Sequence, residues 1–206
     1  MTVIVDYGVG NLFSLSCSFG ALGEETVVAS DPAVIEGADR IVLPGVGAFS
    51  DAMEKLKASG VVPALRRAAE KGTPLLGICL GMQLLFDKSY EYGEHEGLGL
   101  IAGEVRPIPA EGGLKIPHMG WNALSFGEKK HPLFRYIEEG DYVYFVHSFA
   151  AVSCEESVIA TTEYGGRVTA AAARGNVLGC QFHPEKSGEV GLRILKAFCE
   201  CKEGDL

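Results

Sequence analysis

Apolar positions along the chain alternate between two spacings. Short β-branched runs at Thr2 to Asp6, Glu25 to Ala29 and Arg40 to Leu43 predict strands. Between them the spacing turns helical, first near Asn11 to Leu22 after a Gly-Val-Gly turn. The segment Ala48 to Lys71 reads as two helices broken at Gly60 and Pro63. A buried strand, Pro74 to Ile78, then feeds into Cys79 and a helix through Asp87. Strand–helix alternation of this kind predicts an α/β fold with a mostly parallel central sheet flanked by helices.

The pattern changes after Asp87. Tyr90 to Gly99 is a polar loop rich in Gly and Glu, and Arg106 to Gly113 is rich in Pro and Gly. Strand-like runs follow at Leu100 to Val105, Tyr142 to Val146, Ser157 to Thr162, Arg167 to Arg174 and Val177 to Phe182. Ser187 is placed to cap a last helix, whose Val190, Ile194, Leu195 and Phe198 form an apolar stripe. With no repeat and no linker, residues 1–206 are expected to form a single domain.

Composition narrows the function classes. The chain has 206 residues, enough for a sizeable core, with 47% apolar and 22% charged residues. Its formal charge of −9 without a basic stripe argues against nucleic acid and against an anionic membrane surface. MTVIVDYG enters a strand at once, without the basic start and long apolar run of a signal peptide. No stretch approaches the roughly 18 apolar residues of a membrane helix. Cys17, Cys79, Cys154, Cys180, Cys199 and Cys201 contain no Cys-x-x-Cys pair, so free thiols in a cytoplasmic setting are expected.

The chemistry-bearing stretch is Gly77-Ile-Cys79-Leu-Gly81-Met-Gln83. A strand running into Gly-x-Cys-x-Gly and then a helix is the nucleophile-elbow arrangement, with Cys in the place of Ser. Side chains at the two glycine positions would collide with the neighbouring strand and helix. The turn sets the thiol at a helix N-terminus, which favours a thiolate, and aims the Leu80 N–H at a developing oxyanion. Taken alone, Cys79 also fits a buried thiol at a strand end.

A Cys nucleophile needs a base, and the base needs an orienter. His183-Pro-Glu185 supplies both, because residues i and i+2 of an extended chain face one side. Glu185 then holds one imidazole nitrogen while the other faces Cys79. By itself His-Pro-Glu is an ordinary loop. Pro44-Gly45-Val46-Gly47, directly after a strand, offers a second oxyanion N–H from Val46 or Gly47, or is a plain turn.

In this order, Pro-Gly-Val-Gly, Gly-Ile-Cys-Leu-Gly-Met-Gln and Gln-Phe-His-Pro-Glu resemble the class I (triad) glutamine amidotransferases over nearly the whole chain. The resemblance implies a three-layer, flavodoxin-like domain and a triad of Cys79, His183 and Glu185. It further implies that Gly47, Gln83, Glu91 and Ser148 hold the substrate glutamine. Within the family, Lys115-Ile-Pro-His118-Met-Gly-Trp121-Asn122, His183-Pro-Glu-Lys-Ser187 and Asp6-Tyr-Gly-Val-Gly-Asn11 resemble the glutaminase subunits of imidazole glycerol phosphate synthases. Those subunits pass ammonia to a (β/α)8-barrel cyclase as a heterodimer, which puts Asn11, Met119 and Trp121 at the partner interface.

Other readings stay open at this point. Trp121 fits a core position as well as an exposed one. Gly8-x-Gly10 lacks the third glycine of a dinucleotide fingerprint. His95, His118, His131 and His147 have no metal spacing, so neither metal nor cofactor is expected. The same motifs would suit an anthranilate or aminodeoxychorismate synthase glutaminase, against which Pro-His-Met-Gly-Trp-Asn argues. A stand-alone thiol hydrolase and a catalytically dead scaffold are the remaining alternatives.

Overall fold

The computed structural model describes residues 1–109, 113–127 and 129–201. Residues 110–112 of the predicted Pro- and Gly-rich stretch, and 202–206 of the predicted domain, lie outside the described residues. The first half of the chain alternates strand and helix. The order is β1 (Thr2–Val5), α1 (Leu12–Ala21), β2 (Thr26–Ala29), α2 (Pro32–Glu36), β3 (Arg40–Leu43), α3 (Phe49–Ala58), α4 (Val62–Lys71), β4 (Leu75–Ile78) and α5 (Leu80–Leu84). The second half is mostly strand: β5 (Phe86–Ser89), β6 (His95–Glu96), β7 (Ile101–Pro107), β8 (His118–Ala123), β9 (Ser125–Phe126) and β10 (Tyr142–His147). After these come β11 (Phe149–Val152), β12 (Val158–Glu163), β13 (Arg167–Arg174), β14 (Val177–Cys180) and α6 (Gly188–Cys199).

Eight strands form the central sheet in the order β2-β1-β3-β4-β14-β13-β12-β9. The first five are parallel and the last three antiparallel, so the sheet is mixed with a parallel half. Side-chain alternation then builds two cores. Val3, Val5, Ile41, Leu43 and Leu75 face α2, α3 and α4 through Ile35, Leu56 and Leu65. Ile4, Val42, Leu76, Ile78 and Leu178 face α1 and α6 through Leu15, Phe19, Ile194, Leu195 and Phe198. Each of these large side chains is fully or almost fully buried, a gain of about 1.5–3 kcal/mol apiece over exposure. This is the three-layer arrangement expected from the sequence.

Several local findings differ from the sequence reading. The helix after Cys79 ends at Leu84 instead of reaching Asp87, because the carbonyls of Leu84, Leu85, Phe86 and Asp87 accept from the 97–101 segment rather than from a further helical turn. Phe86–Ser89 becomes a strand beside β7, and a side chain at Gly97 would collide with the Phe86 carbonyl. Inside the predicted polar loop, His95–Glu96 pairs with β5. β8 and β11 were not anticipated; they pair antiparallel with β10 and β7. Ser187 does stand before α6, but its hydroxyl donates to His183 O at 2.6 Å and accepts from Tyr144 N at 3.0 Å, so it caps no helical N–H.

Four neighbouring parallel strands deliver site-bearing segments from their carboxyl ends. Tyr7 to Gly10 follows β1, Pro44 to Gly47 follows β3, Cys79 follows β4 and His183 follows β14. The crevice beyond strand carboxyl ends is where open α/β sheets place their ligands.

Candidate active site

Cys79 stands between β4 and α5 with φ 55° and ψ −112°. An ordinary L residue in such a conformation carries strain on the order of 1–3 kcal/mol, sustained only where the surroundings impose it. Here they do. Cys79 N donates to Cys180 O at 2.7 Å, and Gln83 N donates to Cys79 O at 3.2 Å. A Cβ at Gly77 would lie 2.6 Å from the Gly81 carbonyl oxygen, and one at Gly81 would run into the Leu43 carbonyl of β3. Both glycines of the elbow are therefore steric necessities. Since α5 has only five residues, the first-turn N–H groups, rather than a long helix dipole, face the thiol.

His183 follows β14 and is fixed by its own backbone. His183 N donates to Tyr144 O at 2.9 Å, and its carbonyl takes the Ser187 hydroxyl. Its Nδ1 lies 2.8 Å from Glu185 Oε1, with both side chains buried. Burial alone would push this imidazole toward the neutral form. Hydrogen bonds to the Cys79 sulfur and to Glu185 overcome that and raise it to about 9. The other Glu185 oxygen is buried without a hydrogen-bond partner among the described residues.

A cavity of about 300 Å³ opens over the thiol, within the usual range of small-molecule sites. Val46, Gly47, Cys79, Leu80, Gln83, Glu91, Ser148 and His183 all line it, so every predicted catalytic, oxyanion and substrate residue except Glu185 meets there. Glu185 stands behind His183. Gly47 has φ +95°, a left-handed value that suits glycine at this turn. Gln83 spends both amide hydrogens on protein acceptors, Phe149 O and Gln181 Oε1, each at 3.0 Å, leaving its carbonyl oxygen for a ligand. Glu91 is also partly engaged: Phe49 N donates to Glu91 Oε2 at 2.6 Å, tying this loop to the start of α3.

Three supporting residues escaped the sequence reading. Gln181 Nε2 reaches the Cys79 sulfur at 3.9 Å while its carbonyl holds Gln83. Its position two residues before His183 was the available signal. Tyr7 donates its phenol hydrogen to Pro44 O at 2.7 Å and so braces the Pro44–Gly47 turn; Gly10 must lack a side chain because a Cβ would sit 2.9 Å from Pro44. His147 lines the cavity next to Ser148.

The three predicted interface residues lie elsewhere. Met119 and Trp121 are 61% and 52% exposed on β8, which settles the exposure of Trp121. The Asn11 side chain accepts from Ser14 N at 3.3 Å and caps α1. Among the described residues, no group of three or more His, Cys, Asp or Glu is arranged to hold a metal ion, and no helix is long and apolar enough to cross a membrane.

With this geometry in place, likeness to known proteins becomes informative. The family profile Glutamine amidotransferase class-I matches residues 3–200. The chain is 50% identical over 199 residues to "Imidazole glycerol phosphate synthase subunit HisH" of Lactococcus lactis subsp. lactis, covering 96% of this chain and 97% of that one. It is 52% identical to the protein of the same description from Aquifex aeolicus, covering 96% and 95%. Among solved structures, "Crystal structure of glutamine amidotransferase" superposes with a TM-score of 0.74 at 21% identity, covering 96% and 97%. "Structure of PurLQS from Thermotoga maritima" gives 0.72 at 21%, covering 96% of each chain. Likeness at that identity speaks to the fold.

Proposed function

The chain belongs to the class I glutamine amidotransferases, and we propose from that premise how it works as the glutamine-hydrolysing subunit of an imidazole glycerol phosphate synthase in histidine biosynthesis. The observation that carries the mechanism is the approach of His183, backed by Glu185, to the thiol of a strained elbow in one cavity.

Cys79, as thiolate, attacks the carboxamide carbon of glutamine; the C–S bond forms while the carbonyl π pair moves onto oxygen. The N–H of Leu80 and one from the Val46–Gly47 turn receive that oxyanion, each donor being worth roughly 3–4 kcal/mol in comparable sites. The His183 imidazolium gives its proton to the nitrogen, the C–N bond breaks, and ammonia leaves a glutamyl thioester. Neutral His183 then takes a proton from water as its oxygen attacks the thioester carbon. Cys79 departs as thiolate and glutamate is released. Glu185 keeps the imidazole turned toward the sulfur throughout. The free carbonyl of Gln83 and the carboxylate of Glu91 suit the α-ammonium group of the substrate, and the backbone at Ser148 suits its α-carboxylate.

Ammonia loose in neutral water would be protonated and lost as a nucleophile, so it has to be handed on within a complex. The receiving subunit is a cyclase, which we take to be a (β/α)8 barrel docked on the face bearing Asn11, Met119 and Trp121. It joins the nitrogen to a phosphoribulosyl-formimino carboxamide ribotide, giving imidazole glycerol phosphate and an aminoimidazole carboxamide ribotide. The heterodimer works in the cytoplasm, and residues 1–206 act in it as one domain without a cofactor.

Replacing Cys79 with Ala in the complex tests the reading. Glutamine-dependent synthesis should vanish while synthesis from added ammonium salt persists. Loss of both would make Cys79 a structural residue and overturn the mechanism.

A further inference from the structure

Two histidines outside the triad meet beside the cavity. His118 on β8 and His147 on β10 are opposite each other in the antiparallel register. His118 Nδ1 lies 2.9 Å from His147 Nε2, and both rings are buried. The chain of contacts continues at each end. His147 Nδ1 is 2.8 Å from the Phe149 carbonyl oxygen. His118 Nε2 is 2.9 Å from Asn122 Oδ1, and Asn122 Nδ2 donates to the Glu163 carbonyl at 3.0 Å.

Those two ends fix the number of protons. A carbonyl oxygen only accepts, so His147 Nδ1 carries a hydrogen. The Glu163 carbonyl likewise claims the Asn122 amide nitrogen, which turns the Asn122 oxygen toward His118, so His118 Nε2 carries one too. Two neutral imidazoles own one N–H hydrogen each, and both are now used. Their remaining nitrogens would meet lone pair against lone pair at 2.9 Å in a buried place, where an unmade hydrogen bond costs about 1–3 kcal/mol. One further proton turns that repulsion into a charge-assisted bond.

We infer that His118 and His147 hold a single shared charge, an imidazolium bonded to a neutral imidazole, and that this buried cation helps the 146–149 segment bind the α-carboxylate of glutamine. The proton resides on His118. Burial pushes both imidazoles down, His147 to about 4; the Phe149 carbonyl pulls back on His147 and Asn122 on His118, while the neighbouring His118 and His183 charges push His147 further down. The His118 ring also lies between two aromatic faces, Phe145 at 4.8 Å and Tyr164 at 3.9 Å between centroids, both near parallel. Aromatic faces attract a cation. The titratable groups facing the pair are the Tyr164 phenol stacked on His118, and His183, Cys79, Glu91 and the exposed Lys186, which share the cavity with His147.

The role in substrate binding rests on the function proposed above. An amino-acid substrate brings a carboxylate into a cavity whose other cations are His183, committed to Cys79 and Glu185, and Lys186 at the exposed rim. The histidine pair puts a fixed charge behind the wall instead. It also steadies that wall, because the Phe149 carbonyl is held by His147 and Gln83 together.

The test uses the complex with the cyclase, with 15N-histidine in this subunit only. At neutral pH the imidazole nitrogens of His118 should give an imidazolium signature, and His147 the Nδ1–H neutral form. Two neutral rings would overturn the inference, and would mean that the Asn122 amide is turned over. This measurement needs no variant, so it stands even if a substitution unfolds the chain. In kinetics, His118→Phe keeps a flat ring but no proton. It should raise KM for glutamine about tenfold with little change in kcat, and the difference should disappear with glutamine amide, which lacks the carboxylate. Equal KM values in wild type and variant would also sink the proposal. Neither outcome touches the Cys79→Ala result, so failure here is distinguishable from failure of the mechanism.

Discussion

At the scale of single residues, His183 is where competing forces are most visible. Burial favours its neutral form, yet two hydrogen-bonding partners raise it to about 9. The sign has a direct consequence: the ring keeps its proton through neutral pH and gives it up on the alkaline side. Glu185→Gln should lower the pH at which His183 deprotonates, seen by imidazole NMR. It should also cut glutamine turnover by about a hundredfold, less than the loss in Cys79→Ala. Unchanged turnover would remove Glu185 from the role of orienter. These three residues were legible in the sequence because elbow and His-Pro-Glu are local patterns. The histidine pair was not, because its partners are brought together by strand register, and no local spacing encodes register between distant strands.

At the scale of elements, the elbow is an interlock of β3, β4 and α5. Gly81→Ala places a methyl group against the Leu43 carbonyl, a backbone atom that cannot rotate away. The expected cost is on the order of 1–3 kcal/mol, with a lowered Tm and slower Cys79 alkylation in the folded protein. A variant melting like wild type would show that the fit is looser than the distances imply. The parallel half of the sheet was readable because buried strands there are continuous apolar runs. β5, β6 and β8 were not, since their residues are largely polar or half-exposed, and β11 is a run of only four residues; each becomes a strand by pairing with another segment. The helix predicted through Asp87 failed for the same reason, as long-range pairing overrode a local helical pattern.

At the scale of the whole molecule, β8 presents large apolar side chains to solvent. Met119 and Trp121 project from β8, the strand whose inward residue is His118. Trp121→Ala should weaken assembly with the cyclase by about 2 kcal/mol or more, measurable by calorimetry, while leaving the melting of the isolated chain nearly unchanged. No loss of affinity would place the docking surface elsewhere. The segments that carry Cys79, His183 and the Pro44–Gly47 turn leave the carboxyl ends of neighbouring strands, whereas turns such as the one at Gly23, between α1 and β2, enter the opposite rim. Gly23 is exposed, with open space around it. The molecule therefore has a working end and a spare end. A short reporter peptide grafted at Gly23 should be carried without any change in glutamine turnover or in cyclase assembly, which makes that rim the natural handle for watching the complex form.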